Sequence, residues 1–343
     1  MSKIDKKFDY NIARLRIAAC ILVIMVHITH AYLYQNGVMD LKKFPVLIVL
    51  NSIARLGVPL FFMISGLLCL KKSYTLEKVR SKIIHYVYVL VIWSIIFFVW
   101  NGWYLQEDQC LNPIYYVFEP MKNHLWYLYV LIGLYISYPL ANIMIKHMNR
   151  SMENYFLLLW LLLAGGGNLL TLLMDLKGYN VSLEYKVPIL QGTYWLGYYV
   201  AGYIIYKRKE DIKNKVPNWA LIIAFLLSIS CISVLTYADS IINGGFKVRF
   251  LTYGELFLMI ASIAIFILNY KIKETRFPIL NTLGSYTFGI YLVHPMFVDI
   301  AKDYIHFPYS IVYIFIFLIL ILIPSTLITI GIMKLPKIKK IVT

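Results

Sequence analysis

Two residues of the first long apolar segment, Arg16 and His27, could do chemistry inside a membrane. On a helix, the eleven positions between them correspond to about 16 Å of axial rise and about three turns, so both side chains point to nearly the same face. Considered by itself, Arg16 is explained as a basic residue that sets the topology near the cytoplasmic end of the predicted helix. His27 lies past the midplane, where an ionisable side chain is costly and where it becomes a candidate proton acceptor.

Arg55 lies near the middle of the second predicted helix, at about the depth of His27. One interpretation is a buried ion pair or a carbonyl partner that locks the packing of helices. The other is an electrostatic clamp for an anionic group or an oxyanion. Glu255 could pair with Arg55 or orient His27, but its position about one turn from the start of the eighth predicted helix favours a solvated interface residue.

Two further histidines are candidates for substrate contacts. His124 opens the fourth predicted helix at the outer interface, where an aromatic belt explains Trp126 but not the histidine. His294 precedes a proline that frees a backbone carbonyl one turn earlier, so the histidine could simply satisfy backbone. The sequence leaves both alternatives open and predicts His124, Trp126 and His294 as possible substrate-binding residues.

A basic segment follows the second predicted helix and contains Lys78, Arg80 and Lys82. Such a segment is usually a cytoplasmic loop that sets topology, but it could also hold the phosphates of a cytosolic donor. The sequence has no Gly-rich phosphate loop and no metal-ligand motif. Its four cysteines show neither metal-ligand nor disulfide spacing. We therefore expect no metal.

Composition places these residues in a membrane. Hydrophobic residues make up 60% of the 343 residues and charged residues 15%, and the mean hydropathy is +0.70. A soluble domain is nearer half apolar and a quarter charged, so a soluble enzyme and a disordered chain are both excluded. The net charge of +16 would suggest nucleic acid in a soluble protein. The distribution of the basic residues along the chain offers a different explanation for this net charge.

Ten apolar runs are long enough to cross about 30 Å of hydrocarbon. They are 12–33, 44–70, 83–104, 124–145, 153–174, 187–206, 217–237, 250–270, 279–300 and 309–333. With both termini placed in the cytoplasm, basic residues in the inner loops outnumber those in the outer loops by about three to one, which supports this orientation and explains the charge without nucleic acid. The sequence predicts an all-α, polytopic membrane helix bundle of about ten transmembrane helices, forming one domain over 1–343.

Several segments, in order, resemble the acyltransferase-3 family of bacterial membrane proteins. Arg16 and His27 resemble the family's paired Arg and His on the first helix. The other matching segments, at 58–66, 124–128 and 284–295, read VPLFFMISG, HLWYL and GSYTFGIYLVHP. The resemblance implies a multi-pass protein of the bacterial cell membrane that transfers an acyl group, usually acetyl, from cytosolic acyl-CoA to a hydroxyl of an extracytoplasmic glycan or lipid-linked sugar.

Two departures from the family affect the expectations. The family's Arg-x-x-Arg motif after the second helix is replaced by Lys78, Arg80 and Lys82. The identity of the residues that would hold the CoA phosphates is therefore open. Some relatives also carry an extracellular hydrolase-like domain that this chain lacks. We therefore expect it to act alone, as a homo-oligomer, or with a separate extracytoplasmic partner.

The residues fit this chemistry independently of the resemblance. An alcohol that attacks a thioester needs a base, for which His27 is best placed, and Arg55 could stabilise the oxyanion. Tyr127 or Tyr194 could orient the acceptor. The alternative is a membrane transporter or sensing module for a small polar substrate, as suggested by related membrane domains fused to racemases, because buried His and Arg would serve a transport pathway equally well.

Overall fold

A computed structural model of the chain describes residues 9–36, 44–179, 193–273, 277–304 and 310–343. Within these ranges the chain is helical and contains no strand. The helices are α1 (Tyr10–Asn36), α2 (Phe44–Ala54), α3 (Gly57–Leu70), α4 (Leu76–Trp100), α5 (Tyr115–Phe118), α6 (Trp126–His147), α7 (Arg150–Trp160), α8 (Gly167–Leu176), α9 (Thr193–Lys207), α10 (Lys209–Lys215), α11 (Asn218–Ile242), α12 (Leu256–Lys271), α13 (Pro278–Lys302) and α14 (Ile311–Lys334). The prediction of an all-α polytopic bundle is confirmed.

Eight helical segments in the described part of the chain are long and apolar enough to cross a membrane. They are Tyr10–Tyr34, Pro45–Leu70, Leu76–Leu105, Asn123–His147, Arg150–Leu176, Asn218–Ile242, Arg249–Lys271 and Ile311–Lys334. The other two predicted spans correspond to α9 and α13. The predicted span at 187–206 begins outside the described residues, and α13 is long enough but carries more polar side chains, including His294 and Asp299. The cytoplasmic placement of the termini stays a prediction, and the loop residues Lys42, Lys43 and Lys186 lie outside the described residues.

The second predicted span is two helices rather than one. α2 ends at Ala54 and α3 begins at Gly57, so Arg55 lies at a break and not in the middle of a continuous helix. The cause is Pro59, which has no N–H to donate to the Arg55 carbonyl and whose ring crowds that carbonyl. The break also lets Gly57 approach α1, where an added Cβ would lie 2.7 Å from the Ala19 carbonyl oxygen.

Two glycines bring α3 and α9 into backbone contact. A Cβ at Gly66 would overlap the Tyr199 carbonyl of α9, and a Cβ at Gly202 would overlap the Met63 carbonyl of α3. The contact is therefore reciprocal, with each helix supplying one glycine and one backbone carbonyl. Small residues at such crossings allow membrane helices to gain van der Waals packing along their backbones. This pair forms one wall of the bundle.

α1 lies at the centre of the bundle and contacts α2, α3, α12, α13 and α14. Its N-terminal end is fixed by Arg14, whose Nε donates to the side-chain oxygen of Asn269 at 2.9 Å and whose Nη2 donates to the Asn269 carbonyl at 2.6 Å. Ile24, Ile28 and Tyr32 are fully or almost fully buried along the helix. These contacts fix the rotation of α1, and with it the direction of Arg16 and His27.

The segment after α14 folds back into the bundle. The indole N–H of Trp93 in α4 donates to the Ile341 carbonyl at 2.8 Å, and a ring nitrogen of His85 lies 2.7 Å from the Thr343 carbonyl. Val342 is fully buried, against Gly289 of α13. Ile341 and Val342 therefore pack between α4 and α13 as part of the protein interior, whereas Thr343 is exposed.

Candidate active site

A cavity of about 870 Å³ lies between α1, α3, α6 and α13. On α1 alone it is lined from Arg16 to Tyr34, which at 1.5 Å per residue is about 27 Å of helix. That length is close to the hydrocarbon thickness of about 30 Å. Thr343 and Ser285 line it near Arg16, and Thr252 lines it near Tyr34. The cavity thus extends along most of the membrane span.

Arg16 forms part of the cavity wall in the half nearer the N-terminus of α1. The groups close enough to act on it electrostatically are the hydroxyls of Tyr127, Tyr86 and Tyr135 and the thiol of Cys69. No carboxylate pairs with Arg16 among the described residues. The predicted topology-setting role does not explain a guanidinium that lines an internal cavity without a paired acid. The site instead suits an anionic or strongly polar ligand.

His27 lines the same cavity about three helical turns further along. The groups that act on it electrostatically are His294, Lys302, His30 and Arg55, all of them basic. The sequence therefore placed Arg16, His27 and Arg55 correctly in one region, because all three line the cavity. Their catalytic roles stay predictions.

Arg55 is held at the helix break by contacts on two sides. Its Nε donates to the Asn51 side-chain oxygen at 3.3 Å, and its guanidinium carbon lies 5.5 Å from the centre of the Tyr253 ring. Asn51 in turn donates to the hydroxyl of Thr29 on α1 at 2.8 Å. The described residues contain no carboxylate paired with Arg55. A buried ion pair is therefore not formed among the described residues, the Asn51 oxygen fits the alternative of a carbonyl partner, and the role of Arg55 as a clamp for an anionic group stays a prediction.

Glu255 is neither solvated nor paired with Arg55. It is completely buried at the N-terminus of α12, where its carboxylate accepts a hydrogen bond from the Leu258 N–H at 3.1 Å. The interpretation of Glu255 as a solvated interface residue is wrong, because the side chain caps a helix inside the bundle.

His124 and His294 form a line of imidazole rings with His27. The ring of His294 lies 5.3 Å from that of His27 and 5.8 Å from that of His124. His124 lines the cavity and is buried, so it does not lie at a wet interface. His294 is fully buried behind the cavity wall, and its Nδ1 lies 3.2 Å from the Ile290 carbonyl. Among the described residues, no three His, Cys, Asp or Glu side chains are grouped so as to hold a metal ion.

Trp126 belongs to an aromatic cluster in the outer part of the cavity. Its ring lies 4.9 Å from that of Trp195 and 5.7 Å from that of Tyr253, and Tyr194 lies 4.5 Å from Trp195. The sequence analysis identified Trp126 and Tyr194 but missed Trp195 and Tyr253. Nothing in the local sequence distinguishes these two from the other aromatic residues of a chain with 29 tyrosines.

Lys78, Arg80 and Lys82 lie on the first turns of α4 and not in a loop, because α4 begins at Leu76 with Thr75 as its cap. Lys78 and Lys82 are one turn apart on the same face, whereas Arg80 projects from the opposite side. Lys82 acts electrostatically with Lys78 and Lys72. The cluster that the structure forms is therefore Lys72, Lys78 and Lys82, in which Lys72 was missed and Arg80 takes no part.

The model of the acyltransferase-3 family, described as an acyltransferase domain, matches residues 9–330. No curated protein and no solved structure matches the chain. The family match covers α1 through most of α14, which includes every residue of the cavity wall except Met333 and Thr343. The chain is a multi-pass membrane protein and belongs to the acyltransferase-3 family.

Proposed function

We propose that this protein moves an acyl group, preferentially acetyl, from cytosolic acyl-CoA to a hydroxyl of an extracytoplasmic glycan or lipid-linked sugar. The observation that carries the proposal is the single cavity, which joins Arg16 in one half of the membrane to His27, Arg55 and His124 further along. A thioester entering from one side and an alcohol entering from the other can meet inside it. The bacterial cell membrane, with lipid bilayer around the bundle, is the proposed location.

The donor enters past the basic cluster of α4. Lys72, Lys78 and Lys82 attract the CoA phosphates, and Arg16 binds polar groups of the donor deeper in the cavity. Ser65 and Tyr127 line the wall beside this path, and their hydroxyls are 3.3 Å apart. Acyl-CoA is therefore the proposed donor, with acetyl-CoA the preferred form and no metal required by the mechanism.

His27 and Arg55 carry out the transfer. The acceptor hydroxyl gives its proton to the neutral imidazole of His27 while its oxygen forms a bond to the thioester carbonyl carbon. Arg55 stabilises the negative charge that develops on the carbonyl oxygen. The intermediate then collapses with cleavage of the carbon–sulfur bond, and His27 returns the proton to the leaving thiolate. The products are an ester and CoA thiol.

The acceptor binds in the outer part of the cavity. Trp126, Tyr194 and Tyr253 line this part and present aromatic faces, which pack well against the C–H groups of a sugar ring and leave its hydroxyls free to bond with polar neighbours. His124 lines the same region and has no hydrogen-bond partner on either ring nitrogen among the described residues. We propose that His124 forms a hydrogen bond with the acceptor hydroxyl and that His294 packs behind it, outside the cavity wall.

The length of the cavity also fits a second function. A cavity lined along about 27 Å of α1 would suit a transporter or a sensing module for a small polar substrate. The two functions differ in whether CoA thioester is consumed, because a transporter leaves the thioester intact. The aromatic outer region and the basic inner cluster favour acyl transfer.

The decisive experiment compares cell-envelope glycans with and without the gene by mass spectrometry, together with the acetate released from envelopes by mild alkali. We expect an acyl mass difference that disappears in the deletion strain and returns with the wild-type gene. Unchanged glycan masses and unchanged alkali-releasable acetate would contradict the proposal. Transport of a small polar substrate by the purified protein in vesicles, without release of CoA thiol, would favour the second function.

A further inference from the structure

His294 lies directly behind His27, away from the cavity. It is completely buried and is not among the residues that line the cavity wall. Its ring centre lies 5.3 Å from that of His27, and the two ring planes are inclined at 46°. The two rings are not hydrogen-bonded in this structure, since Nε2 of His294 has no partner among the described residues, but ring nitrogens that faced each other across this separation would be within hydrogen-bond distance. His294 can therefore reach His27 more directly than it can reach a substrate.

The backbone fixes which nitrogen of His294 carries the proton. Its Nδ1 lies 3.2 Å from the Ile290 carbonyl oxygen, which can only accept. Nδ1 therefore donates, and in the neutral ring Nε2 is left as an acceptor. That Nε2 is buried and has no hydrogen-bond partner among the described residues. The fold thus holds an acceptor nitrogen in an interior position next to His27.

His27 needs such a partner if it acts as a base. An imidazole base presents one nitrogen to the substrate, while the other nitrogen is normally held by a third group that fixes the ring and its tautomer. A carboxylate usually supplies this contact. The largest electrostatic influences on His27, however, come from basic groups, namely His294, Lys302, His30 and Arg55. Of these, His30 and His294 each have a buried ring nitrogen without a hydrogen-bond partner among the described residues, and His294 is the one whose ring also packs against that of His27, at 5.3 Å between centres.

We propose that His294 is the positioning residue of the active site, accepting a hydrogen bond at Nε2 from the ring N–H of His27 so that the other nitrogen of His27 faces the acceptor hydroxyl. The inference rests on the proposed role of His27 as the base. Hydrogen bonds of this kind are often long or misaligned without substrate and tighten in the reacting complex. The chain of contacts then runs from the Ile290 carbonyl through His294 to His27 and the cavity.

His124 is the competing partner of His294. Its ring is 5.8 Å from that of His294 and meets it edge-on at 76°. The shorter separation and the smaller inclination favour His27. His294 has one free acceptor nitrogen and can therefore accept a hydrogen bond from one of the two histidines at a time. An experiment that measures the reactivity of each histidine separately can decide between them.

Diethyl pyrocarbonate is the probe, because it modifies neutral imidazole nitrogens. Purified full-length wild-type, His294→Gln and His294→Leu proteins are treated with it, and peptide mass spectrometry gives the modification rate at each histidine. A glutamine retains an acceptor near the position of Nε2, whereas leucine retains only bulk. An acceptor partner fixes the neighbouring ring and raises its basicity. We therefore expect His294→Leu to lower the rate at His27 roughly tenfold, and His294→Gln to keep it within about threefold.

His147 is the internal control, because it is exposed near the end of α6 and should react equally in all three proteins. Acetyl-CoA affinity should also be unchanged, while alkali-releasable envelope acetate should fall in the leucine variant and be restored by glutamine. Equal rates at His27 in the leucine and glutamine variants would show that His294 only fills space. A selective loss at His124 would assign His294 to that residue. Either result overturns the proposal.

The modification rate separates this inference from the proposed function. Suppose that His294→Leu lowers the reactivity of His27 and His294→Gln restores it, while the His27→Ala variant still acylates the envelope fully. This outcome would support the positioning contact and refute the role of His27 as the base. Loss of acylation in His27→Ala with no effect of His294→Leu on His27 reactivity would do the reverse.

Discussion

Arg55 lies at the break between α2 and α3, four residues before Pro59. An arginine at this depth in a continuous helix would have its direction set by the helix. At the break, its direction is set instead by the Asn51 side chain and the Tyr253 ring. The proline therefore determines where the positive charge lies in the cavity.

Pro59→Ala should reduce acyl transfer. The new N–H can donate to the Arg55 carbonyl, which favours a continuous helix and moves the guanidinium. A misplaced oxyanion contact costs about 10²-fold in rate, so we expect alkali-releasable envelope acetate to fall towards the level of Arg55→Gln, with acetyl-CoA affinity unchanged. Pro324→Ala, which also removes a proline from a helix interior, is the matched control. Wild-type acetate in Pro59→Ala beside an inactive Arg55→Gln would show that the break does not position Arg55.

His27→Ala and His27→Gln should both abolish transfer while the protein still inserts and binds acetyl-CoA. Glutamine keeps hydrogen-bonding capacity but cannot take up a proton, and a general base contributes about 10²–10⁴-fold in rate. Envelope acetate measures the transfer, and titration calorimetry with acetyl-CoA measures donor binding. His147→Gln, at an exposed histidine, should behave as wild type. Near-normal acetate from a well-expressed His27→Gln would make His27 a packing residue and move the proposed base to His124.

Replacing Lys72, Lys78 and Lys82 together by Gln should weaken CoA binding by several-fold or more, with the largest effect at low ionic strength. Contacts between exposed charges and phosphates are screened by salt, with a Debye length of about 10 Å at 0.1 M. Arg80→Gln removes a charge from the same turns of α4 but from the opposite face, so its affinity should stay close to wild type. Equal losses in the two variants, or none, would leave the lysines as topology signals only.

Gly66→Ala should destabilise the bundle strongly, because the added methyl overlaps the Tyr199 carbonyl. Overpacking of an interior typically costs about 1–3 kcal/mol, and a clash with backbone cannot be relieved by a rotamer change. Gly133→Ala adds the same methyl on α6 where nothing lies within 4 Å, and it should leave the thermal unfolding temperature unchanged. Similar unfolding temperatures for the two variants would contradict the close contact of α3 and α9.

Cys110 should react with a membrane-impermeant thiol reagent added outside intact cells. It is exposed, whereas Cys20 and Cys69 are buried and Cys231 is half-buried, so the native protein offers a selective label. In the predicted orientation, cysteines introduced at 209–215 should react only after the cells are opened, because α10 lies on the cytoplasmic side. Labelling of these positions in intact cells would reverse the topology.

The helical bundle was predictable because apolar runs of about 20 residues have few alternatives in a membrane. Arg16, His27 and Arg55 were found for the same reason, since ionisable side chains at that depth are costly. The helix break was not predicted, although Pro59 was visible, because prolines are also tolerated in continuous membrane helices. Glu255 was misplaced because distance from a helix end does not give burial. Trp195 and Tyr253 belong to a cluster that forms only when distant helices pack, whereas Lys72 lies in the same basic run as Lys78 and Lys82.

The reciprocal glycine contact between α3 and α9 has a mechanical consequence. Two helices whose backbones touch at Gly66 and Gly202 cannot slide or rotate against each other without a steric clash, so they behave as one rigid unit. This unit lines the cavity with three residues of α3, Phe61, Ile64 and Ser65. Any widening that admits a bulky substrate is therefore expected from the other helices that line the cavity, α1, α6 and α13. A displacement of α1 would also move His27, so in the proposed mechanism access to the cavity and proton transfer would be coupled to one motion.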